Sequence, residues 1–131
     1  SGAGPNSAAL ATGTGGILAI NAADGSVKWE TKINTLVFGG ATVANDVVFT
    51  NSLDGFLRAF NTDTGAELWN YEAGSGFNAP PAIAGDMVFV GAGFVKLRAE
   101  RSAPGITGQG DAPQVSKFIA FKIAETEPGA P

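Results

Sequence analysis

Three observations predict an all-β fold assembled from four-stranded propeller blades. The first is an internal repeat: residues 19–30 align without a gap with residues 59–70, so that Trp29 and Trp69 lie 40 residues apart. The second is a content of 19 glycines and 7 prolines in 131 residues, which is typical of many turns rather than of long helices. The third is a series of short runs rich in β-branched and aromatic residues. A period of about 40 residues that holds several short strands is the spacing of propeller blades.

The repeat predicts one complete blade in the middle of the chain. Its strands are expected, from the innermost to the outermost, at 40–44, 47–51, 56–61 and 67–72. Outer strands of a preceding blade are expected at 16–21 and 27–32, with residues 8–11 as either its inner strand or a loop. Three strands of a following blade are expected at 82–84, 87–90 and 117–123.

The chain is therefore interpreted as a single partial propeller domain over residues 1–131, with about two and a half four-stranded antiparallel blades. This domain divides into 1–34 (preceding blade), 35–74 (complete blade), 75–123 (following blade without its outer strand, with an insertion at 92–116) and a tail at 124–131. Since a propeller needs at least about four blades to close, the chain is expected to be a fragment, a subunit that pairs with the remainder of its ring, or a protomer that closes a ring with further copies of itself.

Turn residues at the repeat positions predict tight hairpins between these strands. Asn45 and Gly85, each followed by an aspartate, occupy equivalent positions in one hairpin turn of the repeat. Gly25 and Gly65 occupy equivalent positions in the next hairpin turn. All four residues reach positive φ at low cost, as tight hairpins require.

The two tryptophans occupy the same position in successive blades, four residues after a turn glycine. A repeated aromatic residue favours packing against the neighbouring blade, and a platform that stacks a flat ligand is the alternative. If Trp69 is buried in that way, its replacement by alanine should cost about 3–5 kcal/mol.

Composition excludes several classes of function. The net charge of −4 and the lack of a basic stripe argue against nucleic acid as a partner. No apolar run approaches the ~20 residues needed to span a bilayer. The absence of cysteine and histidine removes disulfides, thiolate metal sites and the usual general base. The first residues have neither the basic start nor the apolar core of a signal peptide.

The pattern Ala-x-Asn-x-x-x-Gly-x-x-x-Trp, found at 19–29 and 59–69, resembles the tryptophan-docking motif of propellers in quinoprotein alcohol dehydrogenases, which use pyrroloquinoline quinone (PQQ). Residues 38–50 and 53–59 resemble the last quarter of methanol and ethanol dehydrogenases of this type and of related quinone-binding-like repeat proteins. The resemblance covers about residues 13–123. It implies an extracytoplasmic setting, PQQ as cofactor, and an alcohol or sugar as substrate.

The same resemblance implies a cofactor-binding segment at Phe38, Gly39 and Gly40, where the family carries an aromatic residue and two glycines near the quinone. Glycine lets backbone approach a ligand closely; the alternative is that Gly39 and Gly40 only form a tight lead-in to the inner strand. The catalytic enzymes have tryptophan where this chain has Phe38. The family's catalytic aspartate and calcium ligands belong to earlier blades, so no catalytic residue and no metal ligand is assigned, and this chain alone is not expected to be active.

Three other motifs have plain structural interpretations. Residues 13–16 are glycine-rich, but a strand-like run follows them rather than the helix that a phosphate loop needs. Asn61, Asp63 and Glu72 have the wrong glycine spacing for a calcium loop. The insertion at 92–116 is interpreted as a tolerated surface loop, or as a lid or partner contact in which three cations would suit a carboxylate: Lys96, Arg98 and Arg101.

Three functions follow from these observations. The chain is interpreted first as the C-terminal segment of a PQQ-dependent alcohol or sugar dehydrogenase-like propeller that supplies one pocket wall and the closure of the ring. The second interpretation is a non-catalytic propeller of the same superfamily that acts as a scaffold or binding module. The third is a repeat unit that completes a ring by self-association.

Overall fold

The computed structural model describes residues 12–94 and 115–122. These residues form three antiparallel sheets, with strand orders β1–β2, β3–β4–β5–β6 and β7–β8–β9. The strands are β1 (Gly15–Ile20), β2 (Val27–Ile33), β3 (Ala41–Ala44), β4 (Val47–Asn51), β5 (Phe56–Asn61), β6 (Glu67–Glu72), β7 (Ala82–Ala84), β8 (Met87–Ala92) and β9 (Lys117–Lys122).

This architecture confirms the all-β propeller class, and the strands lie within two residues of their predicted positions. The largest difference is β8, which extends to Ala92 rather than ending at residue 90. The expectations for residues 8–11 and for the tail at 124–131 lie outside the described residues. Among the described residues, no helix has the length and apolar character needed to cross a membrane.

The hairpin turns adopt the backbone conformation that their residues predict. Asn45 has φ 52° and Gly85 has φ 58°, at equivalent turns before β4 and β8. Gly25 and Gly65 have φ 74° and 71°, at equivalent turns before β2 and β6. Positive φ is cheap for glycine and tolerated by asparagine, which explains why these residue types recur here.

The sheets pack face to face, and β5 contributes to both interfaces because successive residues of a strand point to opposite faces. Phe60 is buried against the first sheet, in a cluster with Ile17, Ile33 and Val48. Leu57 is buried against the third sheet, in a cluster with Ala73, Phe77, Val90 and Ala92. The core of the molecule therefore lies between sheets, as expected for successive propeller blades.

Trp29 joins the first sheet to the second. Its indole Nε1 donates a hydrogen bond to the backbone oxygen of Thr62, at 2.8 Å. Its ring lies over Gly65, where an added Cβ would be 2.5 Å from the indole Cε3. Beside it, the Thr31 hydroxyl donates to the Gly65 oxygen at 2.6 Å. For Trp29, these contacts support packing against the neighbouring blade and not the alternative of a platform for a flat ligand.

Trp69, at the equivalent position, has a more open environment. It is 40% exposed and meets Phe121 of the third sheet edge-on, with ring centroids 5.2 Å apart. The burial on which the 3–5 kcal/mol expectation depended is therefore not met at Trp69.

The segment between β6 and β7 contacts the described residues on both sides of the insertion, Phe94 and Val115, which we call its two roots. Gly76 forms a two-way backbone bridge with Phe94, at 2.9 and 3.0 Å. The hydroxyl of Ser75 donates to the oxygen of Val115 at 2.7 Å. Residues 95–114, with the three cations of the insertion, lie outside the described part of the chain.

Candidate functional site

The candidate site lies at the end of the blades where each inner strand begins. Because Ala41 pairs with Thr50, the segment that leads into β3 lies beside the end of β4. We call residues 38–40 the lead-in segment of the second sheet and residues 78–80, which occupy the same place in the repeat, the lead-in segment of the third. These two segments lie side by side, since a Cβ on Gly40 would lie 3.6 Å from Cβ of Pro80.

The three predicted residues of the first lead-in segment differ in their surroundings. Phe38 is 47% exposed, so that its ring is available at the surface of this end. Gly40 has φ 68°, and its backbone oxygen accepts a hydrogen bond from the Thr50 hydroxyl at 2.7 Å. Gly39 is buried, and a Cβ placed on it would overlap Oδ1 of Asn51. Gly39 is thus required by a neighbour within its own sheet.

Asn51 was not identified from the sequence, and it is the central side chain of this site. It is fully buried, with 0% exposure. Its Nδ2 donates to the backbone oxygen of Ala79, in the lead-in segment of the third sheet, at 2.9 Å. Its Oδ1 is buried without a hydrogen-bond partner among the described residues. A buried unpaired acceptor is uncommon and needs an explanation.

A second polar cluster lies at the same end of the sheet, where Arg58 of β5 contacts the loop from β4 to β5. The Arg58 guanidinium binds both carboxylate oxygens of Asp54, with the shorter contact at 2.5 Å, and donates to the Ser52 hydroxyl. The guanidinium also lies 4.9 Å from the centroid of the Phe56 ring. Arg58 is therefore engaged by its own loop, which leaves it poorly placed to bind an external anion.

The electrostatics of this cluster are set by Asp54. Burial alone would raise the pKa of its carboxyl group, but hydrogen bonds from Arg58 and Ser52, together with the positive charge of Arg58, outweigh burial and hold the pKa below its usual value. The carboxylate is consequently ionised in the folded protein at neutral pH. Its evident role is to shape the loop, since the backbone amide of Phe56 also donates to it.

An apolar cleft of about 500 Å³ opens between the second and third sheets, away from the lead-in segments. The ring of Trp69 forms part of its wall, and the Lys122 ammonium group at its rim pairs with Asp86 at 3.5 Å. The lining residues are Val47, Phe49, Leu57, Ala59, Leu68, Trp69, Val88, Phe121 and Lys122.

The other motifs have the structural roles expected of them. The glycines at 15 and 16 begin strand β1, not a helix, so they do not form a phosphate loop. The Asn61 side chain accepts hydrogen bonds from the amides of Asp63 and Thr64, and Asp63 pairs with Lys28 at 2.8 Å. Within residues 12–94 and 115–122, no three carboxylate, histidine or cysteine side chains cluster as a metal site would require.

The lead-in segment fits one face of a flat ring such as that of PQQ. The half-exposed ring of Phe38 supplies an aromatic surface, and Gly40 beside Pro80 adds a surface without bulky side chains. Gly39 does not face outward, because Asn51 occupies the space beside it. Among these residues, Phe38 and Gly40 would therefore contact the ring. Gly39 would pack against Asn51 on the inner side of the segment.

Comparison with known proteins shows sequence similarity to quinoprotein dehydrogenases and to the assembly factor BamB. A PQQ-repeat family model, described as outer membrane protein assembly factor BamB, matches residues 3–106. Methanol dehydrogenase subunit 1 of Methylobacterium organophilum is 46% identical over 65 residues, which are 49% of this chain and 10% of that protein. The assembly factor BamB of Shewanella oneidensis is 44% identical over 61 residues, which are 46% of this chain and 15% of that protein.

A solved structure supports the same fold. The quinohemoprotein alcohol dehydrogenase ADHIIG of Pseudomonas putida superimposes with a TM-score of 0.54 and 32% identity, covering 62% of this chain and 13% of that one. The matched stretch is thus a small part of every one of these relatives.

Proposed function

This chain belongs to the PQQ-repeat family whose model is described as outer membrane protein assembly factor BamB, and on that premise we propose that it forms one wall of the quinone pocket in a PQQ-dependent alcohol or sugar dehydrogenase. The observation that carries the proposal is the half-exposed Phe38 ring in the lead-in segment before the inner strand. The sequence similarity to methanol dehydrogenase subunit 1 supports it. The setting proposed for the protein is extracytoplasmic.

In this proposal the chain contributes shape rather than chemistry. The quinone, when bound, accepts the two electrons removed from the substrate. Phe38 covers one face of its ring, which is the arrangement that aromatic side chains favour for flat ligands. Gly40 brings backbone close to the ring edge, as residues without a side chain allow. No proton transfer is assigned to the described residues, and the carboxylate of Asp54, in the loop from β4 to β5, is held by Arg58.

We also propose that the chain takes part in closing the ring. Within the described residues, β9 has a neighbouring strand on one side only, namely β8. Phe118 of β9 is 77% exposed and stacks on Phe89 of the same sheet face, with ring centroids 6.0 Å apart. An exposed apolar face beside an unpaired strand edge promotes aggregation. We therefore infer that the remainder of the propeller covers it. Further copies of this chain are the alternative partner.

The test uses the full-length polypeptide that carries this sequence, with PQQ and calcium added. We expect Phe38→Ala to weaken PQQ binding about five- to tenfold, since it removes a ring contact worth about 1–1.4 kcal/mol. Phe38→Trp should retain binding. Binding is followed by the absorbance of the quinone during equilibrium dialysis.

The matched control is Asn78→Ala, because Asn78 holds the equivalent place in the next lead-in segment and is exposed. This variant should change PQQ affinity less than Phe38→Ala. Equal affinities for wild type and Phe38→Ala would reject the pocket wall.

A non-catalytic scaffold is the second candidate, and the contact between Gly39 and Asn51 favours it, because that glycine serves packing and not a ligand. A wild-type protein that binds no PQQ at millimolar concentration, yet remains a folded ring, would support the scaffold. Light scattering of the purified protein separates both candidates from ring closure by self-association, which requires an assembly of several copies.

A further inference from the structure

We propose that Asn51 is a positioning residue that fixes two neighbouring lead-in segments against each other and so sets the place of Phe38 in the pocket. This inference rests on the proposed function for its link to the quinone. The link between the segments themselves follows from the contacts of Asn51 alone.

The orientation of the Asn51 amide is determined by its surroundings. The atom that faces the Ala79 oxygen must be a donor, because two oxygen atoms would repel each other, so Nδ2 lies there at 2.9 Å. Oδ1 must then point toward Gly39, where the missing side chain leaves room for it. One side chain thereby contacts residue 39 of one sheet and residue 79 of the next, which are equivalent positions of the repeat.

Filling the interior does not by itself explain an asparagine at this position. Oδ1 is buried and has no hydrogen-bond partner among the described residues, and leaving an acceptor unpaired in the interior opposes folding. An apolar side chain of similar size would avoid that penalty but would lose the hydrogen bond to Ala79. Asparagine is therefore suited to joining the two segments rather than to filling space.

The following blade shows what the position looks like without this link. There the equivalents of Gly39 and Asn51 are Ala79 and Gly91. The lead-in segment therefore carries a methyl group at this position, and the strand carries no side chain. A Cβ on Gly91 would meet nothing within 4 Å. The repeat can thus form a lead-in segment with either pair. Within the described residues, Asn51 is the member of these pairs whose side chain hydrogen-bonds to the next sheet.

A second hydrogen bond acts in parallel with that of Asn51. The Thr42 hydroxyl donates to the Pro81 oxygen at 2.6 Å, two residues beyond the acceptor of Asn51. Two side chains of the second sheet therefore hold the backbone before β7. Of the side chains of Thr42 and Asn51, that of Asn51 also contacts Gly39 in the lead-in segment of its own sheet, which is why its loss should affect both segments.

The experiment compares wild type with Asn51→Gly and with the double variant Gly39→Ala/Asn51→Gly, in the full-length protein. The double variant recreates the pair found at residues 79 and 91, so it should fold even if Asn51→Gly alone does not. Hydrogen–deuterium exchange, read by mass spectrometry, reports on peptides that cover each lead-in segment together with the strand that follows it, 38–44 and 78–84. The turn under Trp29, at residues 61–66, is the internal reference.

We expect both variants to exchange faster at the two lead-in segments and to leave the reference turn unchanged. PQQ affinity should fall about tenfold, the effect of losing roughly one buried hydrogen bond. A double variant with wild-type exchange at both segments would overturn the proposal, as would wild-type PQQ affinity combined with faster exchange. If the wild type binds no PQQ, the proposed function fails, and the exchange rates alone decide whether Asn51 joins the segments.

Discussion

The docking of Trp29 on the turn at Gly65 leads to a prediction with an internal control. Gly25 and Gly65 are equivalent residues of the repeat, and their φ angles are 74° and 71°. They differ in what lies beside them: a Cβ on Gly25 meets nothing within 4 Å, whereas a Cβ on Gly65 would be 2.5 and 2.6 Å from two indole carbons. Replacing each glycine with alanine separates the backbone penalty from the displacement of the indole.

The expected magnitudes follow from these distances. Alanine at positive φ costs about 1–2 kcal/mol, and Gly25→Ala should show this penalty alone. In Gly65→Ala the indole must also move, which removes its hydrogen bond to Thr62, worth about 1 kcal/mol, and forces an overpacked contact that costs about 1–3 kcal/mol. Gly65→Ala should therefore lower the free energy of unfolding by about 2–4 kcal/mol more than Gly25→Ala does.

The assay is urea unfolding followed by circular dichroism. In a Trp29→Ala background, the two glycine substitutions should differ much less in their effect, because the indole has been removed and the Thr31 hydroxyl, 3.0 Å from the added Cβ, is a remaining close neighbour at Gly65. Equal destabilisation by the two substitutions in the wild-type background would refute the docking of Trp29 on this turn.

Two further predictions concern Trp69 and Asp54. Trp69→Ala should destabilise the protein by at least about 1 kcal/mol less than Trp29→Ala in the same urea assay, because Trp69 is 40% exposed; an equal loss would show that Trp69 is as firmly packed. The folded-state pKa of Asp54 is lowered, so its carboxylate stabilises the protein above the ordinary aspartate pKa of about 3.9 and loses that effect as the pH falls through the folded-state pKa. Asp54→Asn should therefore destabilise the protein at pH 7 and reduce the loss of stability on acidification to pH 3; an unchanged pH profile would contradict this role.

The strands could be predicted from the sequence because the repeat aligns positions whose requirements are local. A turn residue such as Asn45 or Gly85 needs only its own φ angle to be identified. The alternation of residues such as Leu57 and Phe60 likewise follows from the geometry of one strand. Two copies of the same pattern then make each local signal more reliable than it would be alone.

The candidate site could be predicted only in part, because its contacts join residues that no local pattern connects. Phe38 and Gly40 were identified through the family resemblance, whereas the contact between Gly39 and Asn51 depends on how two strands pack. The hydrogen bond from Asn51 to Ala79 crosses between sheets, so neither residue carries a sequence signal for it.

The two tryptophans show the same limit. Their positions in the repeat are identical, and the sequence gives no reason to separate them. Trp29 is covered by the turn at Gly65, a residue of the next blade, whereas Trp69 meets Phe121. The burial of an indole in a repeat protein is thus decided by the neighbouring blade rather than by its own sequence.

The bridge between Gly76 and Phe94 and the hydrogen bond from Ser75 to Val115 make the stretch between β8 and β9 a suitable place for grafting foreign peptides. Both roots are fastened to adjacent residues, so the distance between them is set by the sheet and not by what lies between. The entropic cost of closing a loop grows slowly with its length, by about 0.6 kcal/mol for each doubling. Epitopes or affinity tags of very different lengths should therefore be accepted between residues 94 and 115 with little change in the stability of the blades.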